Sequence, residues 1–230
     1  MLLIVAQRND LAARSLADRW RPRCTAVLTA RDLSVPGWKF DMPAQGPSRL
    51  IADGRAFSSN QIAGVLTRLS AVPEAELDHV AAEDRAYVSA EMTAFLLAWL
   101  SSLECPVLNR PTPSGLCGPG WRIEQWLHLA AGLGIPVRSV RRSTSRAGAN
   151  QTEGGVSVTI VGRECLGTVD PALADYSRRL AAAADVDLLE VRYTSSAPGA
   201  RLQSVSLWPD VSRPDVAAAL LHLFDSRVPC

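Results

Sequence analysis

The order strand, helix, strand at the start of the chain is the sequence feature that most restricts its fold. Met1–Ala6 is a short apolar run, which is typical of a buried strand. Asp10 is a candidate N-cap for a helix that is expected to run to about Trp20. Cys24–Thr29, rich in β-branched residues, predicts a second strand. Two strands joined through one helix over so few residues favour a parallel sheet in an α/β fold.

The rest of the N-terminal half adds a hairpin, a strand and a long helix to this sheet. Asp53-Gly54 separates Arg49–Ala52 from Arg55–Phe57 and predicts a two-residue hairpin turn. Ile62–Leu69 predicts another strand. Ala81–Leu103 predicts an amphipathic helix, because its apolar residues recur at steps of three and four.

The C-terminal half predicts an α+β module with an antiparallel sheet. The expected strands are Pro136–Ser143, Val156–Val161, Cys165–Thr168, Asp187–Thr194 and Arg201–Leu207. Helices are expected over Trp121–Leu133, after the Asp170-Pro171 start signal, and after the capping box at Ser212. The Gly-rich segment Thr144–Gly155 predicts a loop.

A proline-rich loop predicts where the chain divides. Asn109–Gly120 contains Pro111, Pro113 and Pro119 and separates the two patterns described above. The prediction is therefore an N-terminal parallel-sheet domain over residues 1–110 and a second, reduced module over 111–230.

Composition limits the classes of function. The chain has 230 residues, a formal net charge of +1 and 20% charged residues, which gives no global electrostatic case for nucleic acid or membrane binding. The N-terminus becomes polar too soon for a signal peptide, and no apolar run reaches the roughly 20 residues of a membrane span. A cytoplasmic protein is expected. Lys39 is the single lysine among 24 lysine and arginine residues.

The cysteines and histidines do not form a recognisable metal motif. The five cysteines form no CxxC pair, and no histidine stands at zinc-ligand spacing from one of them, so no metal is expected. Cys117 would be a nucleophile candidate only if it were exposed near a helix N-terminus. The sequence leaves the roles of Cys117 and the terminal Cys230 open.

Two groups of segments resemble ATP-grasp ligases of the glutathione synthetase, ribosomal-protein glutamate ligase and graspetide ligase type. In the N-terminal half these are GVLTRL at Gly64–Leu69, the helix Glu83–Leu103, PVLNRP at Pro106–Pro111 and GLGIPV at Gly132–Val137. The C-terminal match is weaker and runs through Val156–Gly167, Leu188–Thr194 and Leu202–Asp210. The resemblance implies a pre-ATP-grasp-like domain followed by an ATP-grasp-like module that has lost its lid at Thr144–Gly155.

The residues at the family's functional positions depart from its pattern. Arg122 stands where the family often has a lysine. By the same alignment Arg192 replaces an aspartate, Ser204 a glutamate and Ser206 an asparagine. Magnesium prefers anionic oxygen ligands, and an arginine fork is not interchangeable with an ammonium group. ATP-dependent ligation and a bound cofactor are therefore not expected.

The leading hypothesis is a non-catalytic ATP-grasp-like protein, a pseudoenzyme that assists an active ligase or presents a peptide in a ligase or peptide-modification pathway. An alternative is a small enzyme or binding protein whose inter-domain cleft holds an anionic nucleotide, carboxylate or peptide. Its candidate ligand-binding residues are Arg68, Arg122, Arg141, Arg192, Ser204 and Ser206. Arg141 belongs to a basic cluster with Arg138, Arg142 and Arg146, which is equally typical of a charged edge strand. A third alternative is a homodimer with a structural role.

Overall fold

The computed structural model describes residues 1–43, 45–139 and 154–227. In chain order the elements are β1 (Leu2–Val5), α1 (Leu11–Arg19), β2 (Thr25–Leu28), α2 (Ala30–Leu33), β3 (Arg49–Ala52), β4 (Arg55–Ser58), β5 (Gly64–Thr67), α3 (Arg85–Ser102), β6 (Val107–Leu108), α4 (Ile123–Gly132), β7 (Val156–Val161), β8 (Glu164–Leu166), α5 (Pro171–Ala183), β9 (Leu188–Tyr193), β10 (Leu202–Ser206) and α6 (Pro214–Arg227). They form two compact units: Met1–Gly120 with Asp210–Cys230, and Trp121–Pro209.

The first unit is built on a four-stranded parallel sheet in the order β2-β1-β5-β6. All four residues of β1 and of β5 are buried, as expected for strands covered on both faces. On one face, Leu3, Val5 and Val65 form a core with Trp99 of α3 and with Leu50 of the β3–β4 hairpin. The sequence prediction of a parallel α/β domain is confirmed.

The other face of this sheet is covered by α6 and by the end of α1. Phe224 of α6 lies edge-on to Trp20, which follows α1, with ring centroids 6.1 Å apart. A Cβ atom added to Gly64 would collide with the Phe224 ring, so the strand and the helix are in close contact. The Arg23 guanidinium also donates two hydrogen bonds to the Asp225 carboxylate, at 3.1 and 2.8 Å.

Because α6 packs in the first unit, the boundaries of the two units differ from the boundary predicted between residues 110 and 111. The first unit continues to Gly120 and also contains the last segment of the chain, from Asp210. The physical reason is the apolar face of α6, on which Val216, Leu220 and Phe224 are at most 1% exposed. The sequence pattern shows that this face needs a partner, but it does not show which sheet provides one.

The second unit is an antiparallel sheet, in the order β10-β9-β7-β8, with two helices on one face. Trp126 of α4 and Leu173 and Leu180 of α5 are buried in one cluster with Val158 of β7 and Val191 of β9. The predicted α+β module is confirmed.

Two local expectations differ from the structure. Of the strand expected over Pro136–Ser143, the described residues contain one isolated bridge, between Val137 and Leu202. Residues 140–143 of that expected strand lie outside the described residues. Conversely, α2 follows β2 where no helix was predicted, and it begins with a capping box between Thr29 and Asp32.

Two further expectations concern the remaining segments. Most of the predicted lid deletion at Thr144–Gly155 lies outside the described residues. Among the helices that the structure describes, none is long and apolar enough to cross a bilayer.

Candidate functional site

In the second unit, the face of the antiparallel sheet opposite the apolar core carries polar side chains. Side chains alternate between the two faces of a strand, so residues that pair across the sheet share a face. Opposite the apolar core, β7, β9 and β10 present a group that we call the polar face: Ser157, Thr159, Glu190, Arg192, Ser204 and Ser206.

Arg192 lies at the centre of the polar face. It pairs with Ser157 of β7 on one side and with Ser204 of β10 on the other. Its Nε atom is buried and has no hydrogen-bond partner among the residues that the structure describes. A guanidinium group has five N–H donors and no acceptor, and a buried donor without a partner is costly. This arrangement favours an anionic acceptor at the polar face.

Glu190 lies two residues from Arg192 on the same strand and face. It pairs with Thr159 and Ser206, and it accepts a hydrogen bond of 3.3 Å from the Ser157 hydroxyl. The Oγ1 atom of Thr159 is buried without a partner in the described part of the chain, and the residue is 1% exposed. The polar face thus offers a cation, one carboxylate and several hydroxyls at neighbouring register positions.

The structure brings together three of the six residues proposed from the sequence. Arg192, Ser204 and Ser206 share the polar face. Arg122 is exposed at the start of α4, whose buried residues pack on the opposite side of this sheet. Its backbone N–H donates to Gln125 Oε1 at 2.9 Å. Arg141 lies outside the described residues.

Arg68 belongs to the first unit and is held by an ion pair there. Its Nε atom donates to Asp10 Oδ2 at 2.7 Å, and the side chains of Arg68 and Asp10 are 9% and 16% exposed. Asp10 also caps α1 by accepting from the Ala13 N–H at 2.9 Å. The Arg68 guanidinium therefore joins the C-terminal end of β5 to the start of α1. Its role in ligand binding stays a prediction, as do those of the other five residues.

Three residues of the polar face were not proposed from the sequence: Ser157, Thr159 and Glu190. A signal for them exists in the alternation of VSVTIV and LLEVRY, where Val158, Ile160, Leu189 and Val191 are apolar and buried. Choosing which strands lie side by side requires the register, and the sequence does not contain it in readable form.

Three of the described cysteines, Cys105, Cys117 and Cys165, are buried or partly buried. Cys117 is 2% exposed, so the exposure that a nucleophile would need is missing. Burial raises the pKa of the Cys105 and Cys165 thiols above the ordinary value. Cys230 lies outside the described residues.

Comparison with known proteins identifies the fold. No protein-family model and no curated protein matches the chain. Among solved structures, the ATP-grasp ligase PsnB, complexed with minimal precursor, Mg and ADP, matches with a TM-score of 0.64 and 15% identity over 97% of this chain and 98% of that chain. A RiPP-associated ATP-grasp ligase from Chryseobacterium gregarium, in complex with ADP and a leader and core peptide, matches with a TM-score of 0.66 and 10% identity over 99% and 97%.

A third structure agrees with these two. The macrocyclase MdnC from Microcystis aeruginosa MRC, bound with precursor peptide MdnA, matches with a TM-score of 0.65 and 11% identity over 97% of this chain and 99% of that chain. The chain has the ATP-grasp ligase fold. The resemblance predicted from the sequence is confirmed at the level of the fold.

The side chains of the polar face do not fit the magnesium ion that accompanies ATP in this fold. Among the described residues, no three histidine, cysteine or acidic side chains lie close enough together to hold a metal ion. Glu190 is a carboxylate, but Arg192 lies beside it and repels a second cation. Magnesium binds through hard, mostly anionic oxygen ligands in octahedral geometry. The polar face therefore lacks the set of anionic oxygen ligands that magnesium prefers.

Proposed function

We propose that this chain is a non-catalytic protein of ATP-grasp fold that binds a carboxylate-bearing peptide in a peptide-modification pathway and works beside an active ligase. The observation that carries this proposal is the buried, unpartnered Nε of Arg192 at the centre of the polar face. An arginine fork donates two parallel N–H···O bonds to a carboxylate. Ser157 and Ser204, on either side, provide hydroxyl groups for the rest of the peptide.

The distribution of cations argues against ATP-dependent ligation by this chain. Phosphoryl transfer depends on metal ions and positioned cations that neutralise charge in the transition state. Lys39, the one lysine of the sequence, lies in the first unit, where it is 70% exposed and 3.5 Å from Asp41. It belongs to neither the polar face nor the second unit.

The pathway part of the proposal rests on the similar structures. PsnB, MdnC and the Chryseobacterium gregarium ligase were each solved with a precursor or a leader and core peptide. A shared fold with a changed polar face supports a protein that has kept peptide binding and leaves the chemistry to a ligase partner.

A titration with a synthetic acidic peptide tests the proposal. Wild-type protein is expected to bind a glutamate-rich peptide and not its glutamine-substituted analogue, as measured by isothermal titration calorimetry. Arg192→Ala should weaken binding about 10- to 100-fold, the loss expected for hydrogen bonds to a charged group. Arg192→Lys should recover part of the affinity, because it keeps the charge but loses the fork.

Arg201→Ala is the matched control, because it removes an exposed arginine just before β10 and should leave the affinity unchanged. Equal binding of both peptides, or equal losses in the Arg192→Ala and Arg201→Ala variants, would contradict the proposal. Magnesium-dependent release of ADP from ATP when peptide is added would show instead that the chain is a ligase.

Phosphate is a second candidate ligand for the polar face, because the guanidinium fork of Arg192 suits phosphate as well as carboxylate. The observation in its favour is the same unpartnered Nε atom. If ATP binds with or without magnesium and Arg192→Ala abolishes that binding while leaving peptide affinity intact, nucleotide binding replaces the peptide proposal.

A further inference from the structure

An arginine-lined groove lies in the first unit, on different residues from the polar face. It encloses about 510 Å³ between α1, the outer edge of β2 and the turn of the β3–β4 hairpin. Small-molecule sites usually enclose about 300 to 1,000 Å³. We call this cavity the arginine groove, and its charged lining residues are Arg8, Arg14, Asp18, Arg21, Asp53 and Arg55. Four arginines against two aspartates leave a formal excess of two positive charges.

The two aspartates and two of the arginines already have partners. Arg21 donates to Asp18 at 2.7 Å, and Arg8 lies 3.3 Å from Asp78, which is outside the lining. Asp53 Oδ2 accepts from the Val27 N–H at 3.0 Å. After these two ion pairs, the remaining formal charges of the lining are those of Arg14, Arg55 and Asp53, which leaves an excess of one positive charge.

Those two arginines are oriented by contacts that leave their terminal nitrogens available. Arg14 donates from Nε to the carbonyl oxygen of Arg8 at 2.9 Å, which fixes the direction of its fork. Arg55 lies over the ring of Phe57, with the guanidinium carbon 5.9 Å from the ring centroid. Within residues 1–43, 45–139 and 154–227, neither guanidinium has a carboxylate partner at ion-pair distance. Arg14 is on the α1 wall and Arg55 on the hairpin wall.

The edge of β2 is not free to pair with an added peptide strand. An added strand would need the free backbone groups in the middle of β2. Asp53 already uses them: its side chain accepts from the Val27 N–H, and its own N–H donates to the Val27 carbonyl at 3.1 Å. The groove is therefore suited to a compact anion with more than one charged group.

We propose that the arginine groove binds a small ligand with two linked phosphate groups, one held by Arg14 and the other by Arg55. Both arginines can bind phosphate oxygens in a bidentate manner. The linked phosphates of pyrophosphate or of a nucleotide supply adjacent anionic groups, one for each of these two guanidinium groups. This site is independent of the proposed peptide function, since it lies in the other unit and shares no residue with the polar face.

Calorimetric titration of the full chain with inorganic pyrophosphate tests this site. Wild-type protein is expected to bind, with an affinity that falls as salt concentration rises. Arg14→Ala and Arg55→Ala should each weaken binding about tenfold or more. Both side chains are exposed, so the variants should keep the wild-type circular dichroism and melting temperature. Arg19→Ala, on the same helix but outside the lining, is the matched control and should bind as the wild type does.

Further titrations identify which ligand binds and at which site it binds. ATP binding with the same loss in Arg14→Ala would show that a nucleotide is accepted, and pyrophosphate binding alone would show that the phosphates suffice; both outcomes support the site. Citrate binding as tight as pyrophosphate would overturn the assignment to phosphate. Failure of pyrophosphate to bind, or a loss in Arg192→Ala with none in Arg14→Ala, would overturn the site itself without deciding the peptide proposal.

Discussion

Tyr193 shows how one buried side chain makes the stability of the second unit depend on pH. It is fully buried on the core side of β9, and its hydroxyl lies 3.0 Å from Ser177 Oγ and 3.3 Å from the Leu173 carbonyl oxygen. Burial raises its pKa to about 12, against the partly opposing effect of the Ser177 hydrogen bond. The neutral phenol is therefore favoured by folding.

The sign of the resulting pH dependence follows from proton linkage. An unfolded tyrosine loses its proton near pH 10, and the folded protein keeps the Tyr193 proton until about pH 12. The stability that this proton contributes is complete below about pH 10 and is lost as the pH rises toward 12. Urea unfolding at a series of alkaline pH values should show a free energy of unfolding that falls across this window.

Tyr193→Phe is the control for this measurement, because the variant keeps the aromatic ring and lacks the titrating group. Its free energy of unfolding should fall less steeply over the same range, whereas the alkaline titration of the Cys105 and Cys165 thiols is present in both proteins. Equal slopes in the variant and the wild type would contradict the assignment.

At the scale of elements, β5 and α6 are in close contact in the first unit. Gly64→Ala would place a methyl group against the Phe224 ring, which is 1% exposed and has no room to move freely. Overpacking of this kind costs about 1 to 3 kcal/mol. We expect a corresponding decrease in the free energy of unfolding, measured by chemical denaturation.

Two further variants test whether the collision with Phe224 causes this loss of stability. Gly132→Ala lies in α4, where an added Cβ meets nothing within 4 Å, and it should be neutral or slightly stabilising. Phe224→Leu combined with Gly64→Ala should lose less stability than the sum of the single changes, because the smaller side chain removes the collision. Simple additivity would place the cost elsewhere.

Elements with a local signal could be predicted from the sequence. Asp10 caps α1 as expected, Asp53-Gly54 forms the hairpin turn, and Pro171 begins α5. These features depend on backbone conformation and hydrogen bonds within a few residues, which sequence patterns report directly. α2 was missed because four residues are too few to show helical periodicity.

The candidate site could be predicted only in part, because some of its residues meet through contacts between distant parts of the sequence. The alignment selected Arg192, Ser204 and Ser206, which share the polar face. Glu190 and Thr159 join them only through the pairing of β7 with β9, and the arginine groove combines residues separated by more than 40 positions. Contacts between distant residues depend on the assembled sheet, and no local pattern records them.

At the scale of the whole molecule, the first unit is formed from two separated parts of the chain. Val216, Ala217, Leu220 and Phe224 are almost fully buried, so removing α6 would expose apolar surface on the parallel sheet. A chain ending at Pro209 is expected to lose the cooperative unfolding of the first unit and to bind a hydrophobic dye. The measurements are thermal melting by circular dichroism and dye fluorescence.

A second truncation is the control for the loss of α6. A chain ending at Arg227 keeps the whole of this helix and should melt like the full-length protein. If the chain that ends at Pro209 melts with the same midpoint and cooperativity as the longer one, then α6 does not complete the first core.

The dependence of the first unit on α6 has a consequence for synthesis on the ribosome. Domains usually fold as units in the order in which they leave the ribosome. Here residues 1–120 emerge first but lack their covering helix, while Trp121–Pro209 has all its own elements before α6 is translated. The unit that starts last therefore finishes first, and the apolar surface around Gly64 stays uncovered until α6 has emerged. A nascent chain stalled before Pro214 would be the form that most needs a chaperone.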